Sequence, residues 1–102
     1  MEKEIFIKRL TELRMNKGVS ARDMSLSLGQ SPGYINNIEN GINLPSMTVF
    51  FYICEYFNIT PYEFFDNNMH DPQKTNELLE LTRGMKKEQL ELLISLAKGL
   101  KK

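Results

Sequence analysis

Between Ser20 and Gly41 the chain reads SARDMSLSLGQSPGYINNIENG, two helix starts and two glycine stops within 22 residues. Ser20 suits an N-cap, Asp23 lies three positions on in a capping-box arrangement, and Met24 and Leu28 fall one turn apart on one face. Gly29 ends that helix and, tolerating positive φ, lets the next one leave at a steep angle. Ser31 followed by Pro32 reads as a cap plus a first-turn proline, because proline at the first helical position gives up no needed donor. Ile35, Ile38 and Gly41 then complete a short helix over 31–40. Two short helices, 20–28 and 31–40, therefore meet across a tight turn.

Helix signals fill the rest of the chain. Phe6, Leu10 and Leu13 mark one face of a first helix from about Lys3 to Asn16, with Gly18 suited to the left-handed residue after its end. The run TVFFYI at 48–53 is rich in strand-forming residues. Met47, Phe50, Phe51, Cys54 and Phe57 nevertheless follow helical spacing, and Ser46 after Pro45 opens a helix to about Phe57. Thr60, Pro61 and Glu63 supply cap, first turn and capping box for a further short helix whose Phe64 and Phe65 plug the end of the core. Asp66 to His70 reads as linker. Asp71 with Pro72 starts a helix ending near Arg83 and Gly84, and a last one follows from about Lys86 to Leu100.

At 102 residues the chain has room for one compact domain with a small appendage. No apolar run approaches the roughly 20 residues of a membrane span. The opening MEKEIFIKRL lacks a secretory pattern, so the expected location is the cytoplasm. One cysteine, Cys54, and one histidine, His70, make neither a disulfide nor a zinc-ligand set. Cys54 reads as a small core residue and His70 as an exposed linker residue with no nucleophile to serve. No catalytic constellation, metal or cofactor is expected.

The motif at 20–41, then Pro45-Ser46-Met47 and the run ending FNITPYEFF, resembles the helix-turn-helix family of lambda-type phage repressors, Cro proteins and bacterial XRE regulators, over roughly residues 5–65. Family members typically carry Leu-Ala before the turn glycine, an isoleucine then Ile-Glu-x-Gly in the recognition helix, and Pro-Ser opening the fourth helix. The corresponding residues are Met24-Ser25, Ile35, Ile38-Glu39-Asn40-Gly41 and Pro45-Ser46. The resemblance implies an all-α fold: a five-helix lambda-repressor-like DNA-binding domain over 1–66, followed by a linker and a two-helix C-terminal extension over 67–102. The third helix would enter the major groove of double-stranded DNA, usually as a dimer on a two-fold operator.

With Ile35 and Ile38 turned inward, Pro32, Gly33, Tyr34, Asn36 and Asn37 make up the rest of that helix surface. Asn37 is the first candidate for a base contact, since its amide can pair in bidentate fashion with adenine, and Asn36 is the second. Tyr34 suits a phosphate or a thymine methyl, and Gly33 permits close approach of backbone to DNA. Ser31, Asn40, Asn43, Arg22 and Lys17 are candidates for the DNA backbone. Ala21 stands where many relatives place a phosphate-binding glutamine, and the loop Ile42-Asn43-Leu44 lacks their usual lysine or arginine. Residues 1–70 hold six basic and eight acidic side chains, so charge alone gives little attraction for phosphate. Arg14, at the edge of the first helix's apolar face, and Glu39, near the end of the third, are expected to form an ion pair common in the family.

In the last helix Leu90, Leu93, Ala97 and Leu100 repeat at 3, 4, 3 spacing, and Leu92, Ile94 and Leu96 widen the apolar arc. The preceding helix, with Leu78, Leu81 and Met85, can cover part of it. The remainder, centred on Leu90, Leu93, Ile94, Ala97 and Leu100, is expected to form a homodimer interface, the alternative being a hairpin folded back onto its own DNA-binding domain. The function expected is a sequence-specific transcriptional regulator, a repressor acting by occupancy. The alternative is a protein-interaction module on the same scaffold, such as an antitoxin or antirepressor, favoured by weak basic character and high aromatic content.

Overall fold

A computed structural model describes residues 2–66, 68 and 70–101. All regular structure among them is helical: α1 Glu2–Lys17, α2 Ala21–Ser27, α3 Tyr34–Glu39, α4 Met47–Phe57, α5 Pro61–Phe64, α6 Pro72–Thr82 and α7 Lys87–Leu100. Of the linker 66–70, Asn67 and Met69 lie outside the described residues.

Side-chain oxygens set most helix starts. Ser20 Oγ accepts from the amide of Asp23, Ser46 Oγ from Val49, and Asp71 Oδ1 from Lys74. At α5 the box closes both ways, Thr60 Oγ1 accepting from Glu63 N and Glu63 Oε1 from Thr60 N. Each such cap stabilises by about 1 kcal/mol.

The core gathers Leu10 and Leu13 of α1, Met24 of α2, Ile35 and Ile38 of α3, Ile53, Cys54 and Phe57 of α4, then Ile59 and Phe64. Burying a large apolar side chain is worth about 1.5–3 kcal/mol, so this cluster carries the stability of α1–α5. TVFFYI is helical, and its buried stripe is Ile53, Cys54 and Phe57 with Phe50 half-buried. Met47 and Phe51, placed with the core by their spacing, are exposed. Met47 stands in the first turn of α4, beyond the end of the core, and Phe51 sits about 100° round the helix from Phe50.

Phe64 stacks on Phe6 with centroids 5.1 Å apart and meets Phe50 edge-on at 5.2 Å. Its neighbour Phe65 stays half-exposed, so only Phe64 plugs the core end. Arg9 is buried: it donates through Nε to the carbonyl of Phe64 and through its terminal nitrogens to Glu63 O at 2.9 Å and to Glu12. It thereby adds a side-chain donor to the last carbonyls of α5.

Pro72, the first residue of α6, is among the fully buried side chains, and Asn16 Nδ2 donates to His70 O at 2.8 Å. The first turn of α6 is thus built into the domain. Beyond it the chain projects. The molecule measures 50 × 27 × 22 Å, with a radius of gyration of 16.4 Å where a compact chain of this length has about 13 Å. Leu78 and Leu81 are exposed; Met85, Leu90 and Leu93 are half-buried, and no residue of α7 is buried. No described helix is long and apolar enough to cross a membrane.

Candidate nucleic-acid interface

The helix bearing the recognition candidates is shorter than its sequence signals indicate. Its start lies at Tyr34, not near Ser31 and Pro32, and its six residues run to Glu39. Pro32 and Gly33 occupy the turn before it, where Ser31 O accepts from Tyr34 N at 3.1 Å. The position before Tyr34 is Gly33, which has no side chain to cap with.

Ser25, wholly buried in α2, provides the missing acceptor. Its hydroxyl donates to Ala21 O at 2.7 Å and accepts from Ile35 N at 2.9 Å. A contact from the preceding helix therefore decides where α3 starts, which explains why a local Ser-Pro signal misplaces it. Gly29, at φ 73°, makes the corner between the two helices, and Gln30 N returns to Ser25 O at 3.0 Å. The sequence pattern passed over Ser25, although a serine where related chains carry alanine was the available signal.

The other end of α3 is tied to α1. Arg14 Nε donates to Glu39 Oε2 at 2.7 Å and its terminal nitrogen to Oε1 at 3.0 Å, a bidentate pair, while the remaining nitrogen donates to Val19 O at 2.9 Å. The carboxylate beside it raises the Arg14 pKa further above its ordinary value. Between these ties, Ile35 and Ile38 are completely buried.

The outward face of α3 is thereby fixed. Asn36 and Asn37 are exposed on it, and Ser31, Pro32 and Gly33 are exposed in the turn leading to it. Tyr34 is half-buried against the core, and burial pushes its phenol pKa upward. Asn40 ends α3, Asn43 follows in the loop, and Arg22 stands in the first turn of α2, all three exposed. Lys17 Nζ lies 4.8 Å from the centre of the Tyr56 ring. From Ser20 to Ser46 the charged side chains are Arg22, Asp23 and Glu39. With Glu39 neutralised by Arg14, this face presents amides, hydroxyls and backbone and little net charge.

Burial pushes the Cys54 thiol up to about 11, so it is an inert core group. Among the described residues no three His, Cys, Asp or Glu side chains gather where a metal ion could be held.

A family described as a helix-turn-helix domain matches residues 7–70, from the middle of α1 to the end of the linker. No curated protein and no solved structure matches the chain.

Proposed function

The chain belongs to the helix-turn-helix family of XRE-type DNA-binding regulators, and from that premise we propose that it represses transcription by occupancy, as a dimer that lays two copies of α3 in successive major grooves. The observation that carries this reading is the pair Asn36 and Asn37: exposed amides on a helix whose inner face is buried and whose two ends are fastened. Rigid placement of short polar side chains is what base reading requires, since a bidentate amide contact depends on angle as much as on reach. Asn37 reads a base, with Asn36, Tyr34, Gly33 and Pro32 beside it. Ser31, Asn40, Asn43, Arg22 and Lys17 hold the DNA backbone.

Selection of binding sites from random duplexes at low salt tests the proposal. A recovered palindrome, with affinity that falls as salt rises, is the expected outcome. Failure to enrich any sequence would overturn it.

One observation favours a protein-interaction role on the same scaffold. An open, largely apolar groove of about 350 Å³ lies between Phe6, Leu44, Met47, Phe50 and Phe65. If substitutions in that groove abolish function in cells while substitutions at Asn36 and Asn37 leave it intact, the interaction reading replaces the repressor reading.

A further inference from the structure

From Asn40 to Cys54 the sequence holds no charged side chain, so the end of α3 and the loop after it have no cation of their own. Asn40 and Asn43, both exposed there, offer neutral amides. A helix seated in the major groove brings its end and the following loop towards the phosphates at the groove's edge, where each neutralised phosphate releases counterions. Any cation at that edge has to come from another part of the chain.

Helix α1 brings one. Gly41, at φ 77°, turns the chain out of α3, and the point where its Cβ would stand is bordered by α1: Lys3 Cε lies 3.9 Å from it and Ile7 Cδ1 4.0 Å. Lys3 and Ile7 are one turn apart on a common face, Ile7 half-buried and Lys3 exposed. The stem of Lys3 therefore lies against the turn that follows α3, with the ammonium one bond further on. Among the described residues Lys3 forms no ion pair. Glu2 and Glu4 stand about 100° round the helix on either side of it, and Glu39 is held by Arg14.

We propose that Lys3 binds a DNA phosphate beside Asn40 and Asn43, placing from α1 the positive charge that the loop lacks. The proposal rests on the reading of α3 as the helix that enters DNA. It matches the way α3 is held. Helix α2, which fixes the start of α3 through Ser25, carries Arg22, and α1, which fixes the end of α3 through Arg14, carries Lys3. The helices that position the base-reading face thus carry its cations as well, so phosphate and base contacts keep a fixed spacing. A lysine suits this place, because a point charge on a flexible stem needs no paired geometry to meet a phosphate.

Lys8 is the control. It is exposed on the same helix about 140° round from Lys3, where it borders Arg9, Glu12 and His70 instead of Gly41. Full-length K3A, K3R and K8A are titrated, beside the unmodified chain, with a mixed-sequence duplex and with the selected site at about 50 and 200 mM salt. K3A should bind both duplexes several-fold more weakly at the lower salt. Over that fourfold rise in salt it should lose about 3-fold less affinity than the unmodified chain for each Lys3 engaged. K3R should stay close to the unmodified chain, and K8A should match it at both salt concentrations. A salt dependence in K3A equal to that of the unmodified chain, or a loss in K8A or K3R as large as in K3A, would overturn the assignment of Lys3 and leave base reading by Asn37 standing. Retention of neither duplex by the unmodified chain at the lower salt would overturn the reading of α3 itself, and this proposal with it.

Discussion

Arg14 and Glu39, twenty-five positions apart, clasp each other through two parallel hydrogen bonds of 2.7 and 3.0 Å, at 17% and 13% side-chain exposure. The clasp joins the end of the first helix to the end of the recognition helix. Glu39→Ala should cost about 3 kcal/mol, because it leaves a guanidinium mostly out of water with only Val19 O to serve. The exchange of both residues, Arg14→Glu with Glu39→Arg, should recover only part of that loss, since a carboxylate at 14 cannot donate to Val19 O. Urea unfolding of the unmodified chain and the two variants measures both statements, and complete recovery in the double variant would contradict the second.

Ser25→Ala should lower stability by about 1–3 kcal/mol, the cost of stranding the buried Ile35 amide. Its DNA affinity should fall more than that of an equally destabilised core variant such as Ile53→Val. A comparison of the two at matched stability, with operator binding as the readout, separates a positioning role from a packing one.

Asn37→Ala should weaken binding to the selected site by about 1–3 kcal/mol and relax preference at one base pair. Arg22→Ala should instead weaken binding to all sequences alike and flatten the dependence on salt. Titrations against matched and mismatched duplexes at several salt concentrations distinguish the two patterns.

Stability should fall as pH rises from 9 towards 11. The Cys54 thiol ordinarily titrates near 9.0 and is pushed up to about 11 by burial, so the folded state holds its proton more tightly than the unfolded chain does. Its contribution is complete below 9.0 and is lost as the pH climbs to about 11. Tyr34 and Tyr56 are shifted upward for the same chief reason and act in the same direction. Cys54→Ala should therefore lose less stability over this interval than the unmodified chain, though not escape the decline. Parallel curves for the two proteins would refute the assignment.

Two truncations test where the domain ends. A chain stopped after Thr75 keeps the buried Pro72, the Asp71 cap and the Asn16 to His70 bond, whereas one stopped after Asn68 keeps none of them. The longer fragment should be more stable by about 1–2 kcal/mol, mainly through proline burial. Equal urea midpoints would place the whole of α6 outside the domain.

Local signals made much of this fold legible. Ser20, Ser46, Thr60 with Glu63, and Asp71 cap helices within three residues of themselves, so a short window contains the whole interaction. Helical spacing outweighed the strand propensity of TVFFYI for a related reason: Ile53, Cys54 and Phe57 need one common face. What escaped depends on residues far apart in the chain. Arg9 reads as one more surface cation, and only folding brings it to carbonyls 54 and 55 positions away. The start of α3 escaped because its acceptor, Ser25, belongs to another helix. Met47 has the right spacing for the core but stands past its end. Asn36 and Asn37 were visible as polar positions between buried isoleucines; that both ends of their helix are clamped was not.

At six residues α3 is far below the length at which a helix persists alone in water. It cannot fray without drawing Ile35 and Ile38 out of the core, so its amides should exchange with solvent only when the whole domain opens. Recognition then has no melting point of its own. Heat, or a cavity made as far away as Phe57, would leave the surviving folded molecules with full affinity and reduce only their number, so a warming cell would lose occupancy along the unfolding curve of the domain.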